Sequence, residues 1–175
     1  VDVSHFRLSV HLLMAFFILS LIYWNYLSLK KFTLSNNKLN RSFSIIFLFL
    51  LFCQILIGAF VSGMDAGKIY NSWPLMGNNY FPDDNLVMNL FSLNAFNDPS
   101  LVQFIHRNLA YLILFFYLII LFMIYKRNIS NYFNIIKIIG FLLILQIILG
   151  IFTLLYGAQI FIASLHQISS IFLIS

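Results

Sequence analysis

The chain has little charge, and a third of it is acidic. Charged residues make up 9% of its 175 residues, and the five acidic ones are all aspartate. A soluble domain carries about 25% charged residues, so this chain lacks the polar surface to cover a water-soluble core. Cysteine is nearly absent. With Cys53 alone, no internal disulfide and no Cys-x-x-Cys metal site can form. Proline occurs three times, at Pro74, Pro82 and Pro99, all in one segment, which leaves the rest free to run as long helices. What is present is apolar: 62% hydrophobic residues, 21 phenylalanines and a mean hydropathy of +0.95. Disorder, a secreted disulfide scaffold and a water-soluble fold are excluded, and the chain belongs in a bilayer.

A membrane span needs about 20 mostly apolar residues. Five segments qualify as spans: Leu8 to Leu29, Phe43 to Val61, Ser100 to Tyr125, Ile138 to Tyr156, and the shorter Gln159 to Ser175. The first is too long, and has too little basic lead-in, for a signal peptide. Backbone groups in lipid must bond within their own segment, so the expected fold is an all-α transmembrane helix bundle. Charge sets its orientation. Lys30, Lys31, Lys38 and Arg41 lie between the first two spans, and Lys126, Arg127 and Lys137 between the third and fourth. Asp2, Asp65, Asp83, Asp84 and Asp98 all fall on the other side. The positive-inside rule places the basic segments in the cytoplasm or mitochondrial matrix. The net charge of +5 is therefore a topology signal and not a nucleic-acid footprint. Tyr23, Trp24, Tyr26, Tyr125 and Tyr132 fall where an inner aromatic belt would lie.

Residues 62–99 form one long outer connection, a candidate lid. Within it, Leu86 to Phe96 reads either as a short surface helix or as an irregular ordered loop. Asp98 before Pro99 reads as an N-cap with proline at the first helical position. Asp65 and Asn71 are its candidate polar contributors, with turn formation and capping as the plainer account of both.

The chain also repeats itself. Gln54-Ile55-Leu56-Ile57-Gly58-Ala59-Phe60 and Gln146-Ile147-Ile148-Leu149-Gly150-Ile151-Phe152 share the pattern Q-I-x-x-G-x-F. Each copy lies on an outward-running helix, followed by an inward-running helix with a histidine near its outer end, His106 and then His166. The first span also runs inward and carries His11 there, so it reads as the second half of a further unit whose first half would lie upstream. This predicts the later part of a longer protein. Ionisable residues inside spans are costly and point to function. At 1.5 Å per residue, His106 lies about 9–10 Å below Ser100 and His166 about 10–12 Å below Gln159. Two histidines at one depth on parallel helices can supply both axial ligands of a haem iron. The plainer alternative is that each bonds a neighbouring helix. His5, in the outer flank, reads as solvated. Arg107 either snorkels to the interface or pairs with a haem propionate. Cys53 and the small residues Gly58, Gly63, Gly140, Gly150, Ala158 and Ala163 read as packing positions.

Several stretches resemble the haem A synthase family, most closely its mitochondrial and alphaproteobacterial branch. Arg7-Leu8-Ser9-Val10-His11 is similar to the R-L-x-x-H pattern of that family's fourth helix. The run from Gly58 to Gly77, with its D-A-G-x-x-Y-N-x-W-P-x-M-G stretch, is similar to the end of the fifth helix and the loop after it. Val102 to Arg107 resembles the sixth helix and Leu165-His166-Gln167 the eighth. The resemblance covers nearly the whole chain. It implies a pseudosymmetric eight-helix protein of two four-helix bundles, which oxidises the C8 methyl of haem O to the formyl of haem A by successive hydroxylations, with oxygen from water, for cytochrome oxidase. On that basis residues 1–29 are the last helix of the amino-terminal, substrate-haem bundle, 30–42 an inner basic loop, and 43–175 the carboxy-terminal haem b bundle. His106 and His166 would be the haem b axial pair and His11 a ligand of the substrate haem. The other catalytic groups would lie on an upstream helix, and the chain alone would not complete the reaction. Membrane lipid and haem O are implied partners, with haem O synthase and a second copy as further candidates. A bis-histidine electron carrier of cytochrome b type is the alternative from another class, and a haem-free transporter or assembly subunit a third. The setting would be a mitochondrial inner membrane or a bacterial plasma membrane.

Overall fold

The computed structural model describes residues 4–29 and 39–175. Asp2 and the basic residues Lys30, Lys31 and Lys38 of the topology argument lie outside these. The described residues form five α-helices: α1 His5–Leu29, α2 Arg41–Gly63, α3 Pro99–Lys126, α4 Phe133–Leu155 and α5 Ile160–Ile174. There is no β-strand among them, only an isolated bridge between Met76 and Asn79. The chain is an all-α membrane bundle in which four helices, α1 to α4, are long and apolar enough to cross a bilayer. The fifth span expected from the sequence is a 15-residue apolar helix. At 1.5 Å per residue it reaches about 22 Å, short of the roughly 30 Å hydrocarbon core. The start of α4 also differs from expectation. A 3-10 turn at Ser130–Tyr132 leads straight into the helix at Phe133, so Lys137 lies inside α4 rather than before it.

Several polar residues of the helices are satisfied within a turn of the chain. In α1, the hydroxyls of Ser9 and Ser20 and the amide of Asn25 donate to carbonyls one turn back. Asn40 caps α2 by accepting from the Ser42 amide. Asp98 caps α3 by accepting from Leu101 N–H, with Pro99 at the first helical position, as its sequence indicated. Between α4 and α5 the chain turns through left-handed Gly157 and Ala158, and Ala158 N–H returns 2.7 Å to the Thr153 carbonyl.

Helices adjacent in sequence pack on one another, and α1 also touches α5. The apolar core is divided. At the inner end Leu51 of α2, Ile113 to Ile124 of α3, and Ile136 and Leu143 of α4 form one cluster, onto which Leu173 and Ile174 of α5 pack. The outer cluster is Ile57, Phe60 and Val102 with Phe96 from the loop; α4 and α5 contribute nothing to it. The one buried residue of α5 is polar, Ser169. The outer half of the bundle is thus not closed by apolar packing between α3 and α5, and the two histidines lie there.

A histidine pair under an anchored loop

Each copy of the repeat builds a cradle. Gly58 on α2 faces His106 on α3, and a Cβ added at Gly58 would stand 3.0 Å from the imidazole Cε1. Gly150 on α4 faces His166 on α5, with the corresponding distance 3.2 Å. Only glycine lets the imidazole lie this close to the neighbouring backbone. One turn earlier, a glutamine completes each cradle. The Gln54 amide donates to the His106 carbonyl at 3.2 Å, and the Gln146 amide to the His166 carbonyl at 3.1 Å. Nδ1 of both rings is buried without a hydrogen-bond partner, as is Oε1 of Gln54. A buried imidazole nitrogen left bare is costly, and a metal bond removes that cost. Two such nitrogens, each on a ring beside glycine-made space, form a donor set that fits the iron of a haem. Clusters of three or more His, Cys, Asp or Glu able to hold a metal ion are absent among the described residues, which sets a bare-metal site aside.

His11 is not part of this pair. It is exposed on the opposite side of α1, in an open groove of about 490 Å³ lined by Phe6, Arg7, Val10, His11 and Met14. His5 departs from the solvated residue expected of it. It is half-buried against α2, where a Cβ at Gly63 would meet its own Cβ at 3.0 Å, its ring lies 4.4 Å from Phe6 and 5.6 Å from Phe60, and its Nε2 is buried without a partner. The sequence placed His5 three residues before the first apolar span, where nothing showed that α1 begins at that residue.

Arg107 is tied to the outer loop. Its guanidinium donates to the carbonyls of Tyr70, Ser72 and Leu75 at 3.0–3.2 Å, leaving Nε buried. It therefore pins the outer loop. Two neighbours on the same stripe of α3 do the same work. Gln103 donates to the Tyr70 carbonyl, and Tyr111 accepts from the Trp73 indole at 3.0 Å. Asn108 accepts from the Tyr80 hydroxyl. Sequence reading did not single out Gln103 or Tyr111, although their four-residue spacing about Arg107 was the available signal. Asn71 carries the loop to the second unit: its amide donates to the Leu154 carbonyl at 2.7 Å, at the end of α4, and to Gly67. Asp65 sits in a left-handed turn, exposed, paired with Lys68 at 2.8 Å. Asp65 is thus a turn residue without a side-chain cap bond, whereas Asn71 ties the loop to α4. The stretch from Leu86 to Phe96 is two 3-10 helices, Val87–Phe91 and Leu93–Asn97, with Leu86, Met88, Phe91 and Leu93 all more than 70% exposed. The loop thus bridges the outer ends of α3 and α4, above both cradles.

The chain is 45% identical to heme A synthase of Pelagibacter ubique, over 99% of this chain and 51% of that protein. It is 37% identical to heme A synthase of Rickettsia felis and 38% identical to that of Rickettsia akari, over 99% of this chain and 53% of each. The chain spans about half the length of these curated relatives. No solved structure matches it. The family model of the COX15-CtaA cytochrome oxidase assembly proteins matches residues 1–175, and the chain belongs to that family.

Proposed function

We propose that this chain is the haem b-holding portion of a haem A synthase, an oxidoreductase that converts the C8 methyl of haem O to the formyl group of haem A. The observation that carries the reading is the duplicated Gln–Gly cradle, which presents His106 and His166 from α3 and α5 with a bare buried nitrogen on each ring. In this reading the two histidines are the axial ligands of haem b, whose iron supplies one-electron redox chemistry when bound. The chain's own residues hold and orient it. Gly58 and Gly150 let the imidazoles sit close to the helices, the glutamines fix the carbonyls of the ligand residues, and the Arg107-anchored loop limits water entry from the outer side.

The exposed groove on α1 gives His11 a separate place, facing away from the pair, and supports its assignment to a second haem site completed by other parts of the full-length protein. Haem O is the substrate in this reading, and haem O synthase the partner whose product it consumes. A second copy of the chain is a further candidate partner. The bacterial sources of the relatives favour a bacterial plasma membrane.

The test uses the full-length protein, by reduced-minus-oxidised spectra of purified membranes and the haem A to haem O ratio of extracted haems. His106→Ala and His166→Ala should each abolish or strongly reduce the low-spin haem b signal. His11→Ala should leave that signal largely intact and lower the haem A to haem O ratio. An unchanged haem b spectrum in both cradle variants would overturn the assignment.

A further inference from the structure

One stretch of the outer loop plays no part in the two cradles. Residues 85–97 carry no charged side chain, although Asp83 and Asp84 precede them and Asp98 follows. Backbone hydrogen bonds run three residues back along the whole stretch: Asn89 N–H to the Leu86 carbonyl, Ser92 to Asn89, Ala95 to Ser92 and Asp98 to Ala95. The polar side chains are tied back into the loop. The Asn85 amide donates to Asp98 at 3.1 Å and to Asp84 at 3.3 Å, the Asn89 amide donates to Asn85 at 3.2 Å, and the Ser92 hydroxyl donates to the Asn89 carbonyl. The large apolar side chains Leu86, Met88, Phe91 and Leu93 are left exposed. In the 3-10 helix Val87–Phe91, Met88 and Phe91 stand three residues apart and so share one side, while Val87 shares another with half-buried Leu90.

We propose that this stretch lies in the outer interface of the bilayer, with Met88, Phe91 and the flanking Leu86 and Leu93 inserted among the lipid headgroups and upper acyl chains, so that lipid holds one half of the loop while Arg107 holds the other. Depth carries the inference. With 28 residues α3 reaches about 42 Å, as much as a bilayer with both headgroup layers, so its first turn stands in the outer interface. The 3-10 helix Leu93–Asn97 leads directly into that turn. Phe96 packs at this level with Ile57, Phe60 and Val102, its ring 6.0 Å from that of Phe60. The exposed apolar side chains beside it are therefore at the height of lipid and not of bulk water. Clustered exposed apolar side chains mark a contact surface, and a shallowly inserted interfacial segment needs them on one side with its polar groups on the other. Interfacial helices commonly add Lys or Arg that attract anionic lipids. This stretch has neither, so its contact is with the acyl boundary and does not depend on headgroup charge.

The test uses the full-length protein, purified and reconstituted into phosphatidylcholine vesicles, with every native tryptophan replaced by Phe and a single one introduced by Phe91→Trp. Position 91 is exposed, so the larger ring displaces no packed neighbour. Phosphatidylcholine brominated high on its acyl chains should quench the indole about twofold or more, as a shallow insertion requires, and bromines near the chain ends should quench it less. Iodide on both sides of the vesicle should quench it several-fold less than free tryptophan. Adding phosphatidylglycerol should change none of this. Met88→Trp, on the same side, should report the same and decides the matter if Phe91→Trp does not assemble. Strong quenching by iodide with none by the brominated lipids would place the stretch in water. Protection from both quenchers would mean that protein covers it, whether another part of the chain or a partner. Either result overturns the proposal, as does lipid quenching that appears only with phosphatidylglycerol.

Discussion

Asp84 shows how a single exposed residue organises the outer loop. Its carboxylate accepts from the Ser100 hydroxyl at 2.6 Å, from Tyr70 at 3.1 Å and from Asn85 at 3.3 Å. Partial burial pushes its pKa up, and the three hydrogen bonds outweigh this and hold it below the ordinary aspartate value. Burial and the same bond raise the Tyr70 phenol. A depressed folded pKa means that the carboxylate stabilises the loop at pH values above the unfolded one, and that the contribution is lost as pH falls through the ordinary value toward the lower folded one. In the full-length protein with every other tryptophan, Trp24 included, replaced by Phe, Trp73 is the one indole left, and it is bonded to Tyr111. Its emission should therefore change on acidification from pH 7 to pH 3, and Asp84→Asn should remove most of that transition. An identical transition in Asp84→Asn would show that another group governs the loop. Arg107 works at the same scale but against a lower dielectric, where a guanidinium is worth keeping only because backbone carbonyls take its N–H groups.

Among elements, the pairing of α2 with α3 and of α4 with α5 turns on the two cradle glycines. Glycine inside a helix costs about 1 kcal/mol relative to alanine, so Gly58→Ala and Gly150→Ala should favour the helices taken alone. The added Cβ would nevertheless meet His106 at 3.0 Å and His166 at 3.2 Å, and the imidazole must give way. Both variants should lose haem b occupancy or change its spectrum while the helical circular dichroism of the full-length protein is kept, with Gly58→Ala the more affected. Normal haem spectra in both would mean that the close approach does not position the histidines. The shortness of α5 belongs to this scale too. Its inner residues Leu173 and Ile174 reach the inner cluster, so the helix is held by packing at one end and by Gln146 near its middle.

Across the whole molecule, one end is apolar and closed, the other polar and bridged. The α3–α4 turn with Lys126 and Arg127 lies at the end opposite the 64–98 loop, since each helix reverses the chain. In a Cys53→Ser background of the full-length protein, a cysteine at exposed Val87 should react with an impermeant reagent from the outside, and one at Asn128 from the inside. Reaction of Val87→Cys from the inside alone would invert the topology.

The helix count, the histidine-bearing repeat, the Asp98–Pro99 cap and the membrane class were legible in the amino-acid sequence because each rests on composition or short-range spacing. A run of apolar residues must bond its backbone internally in lipid, and an Asp-Pro step favours a helix start. Partner choice was not legible. That Arg107 spends its donors on the carbonyls of Tyr70, Ser72 and Leu75, that His5 is covered by Phe6 and Phe60, and that Gln54 meets an imidazole where Gln146 meets a hydroxyl all depend on contacts between segments far apart in the chain. Sequence determined which polar groups enter the membrane. The tertiary structure decided what satisfies them, because a buried donor or acceptor takes whichever partner the packing of the helices brings within reach.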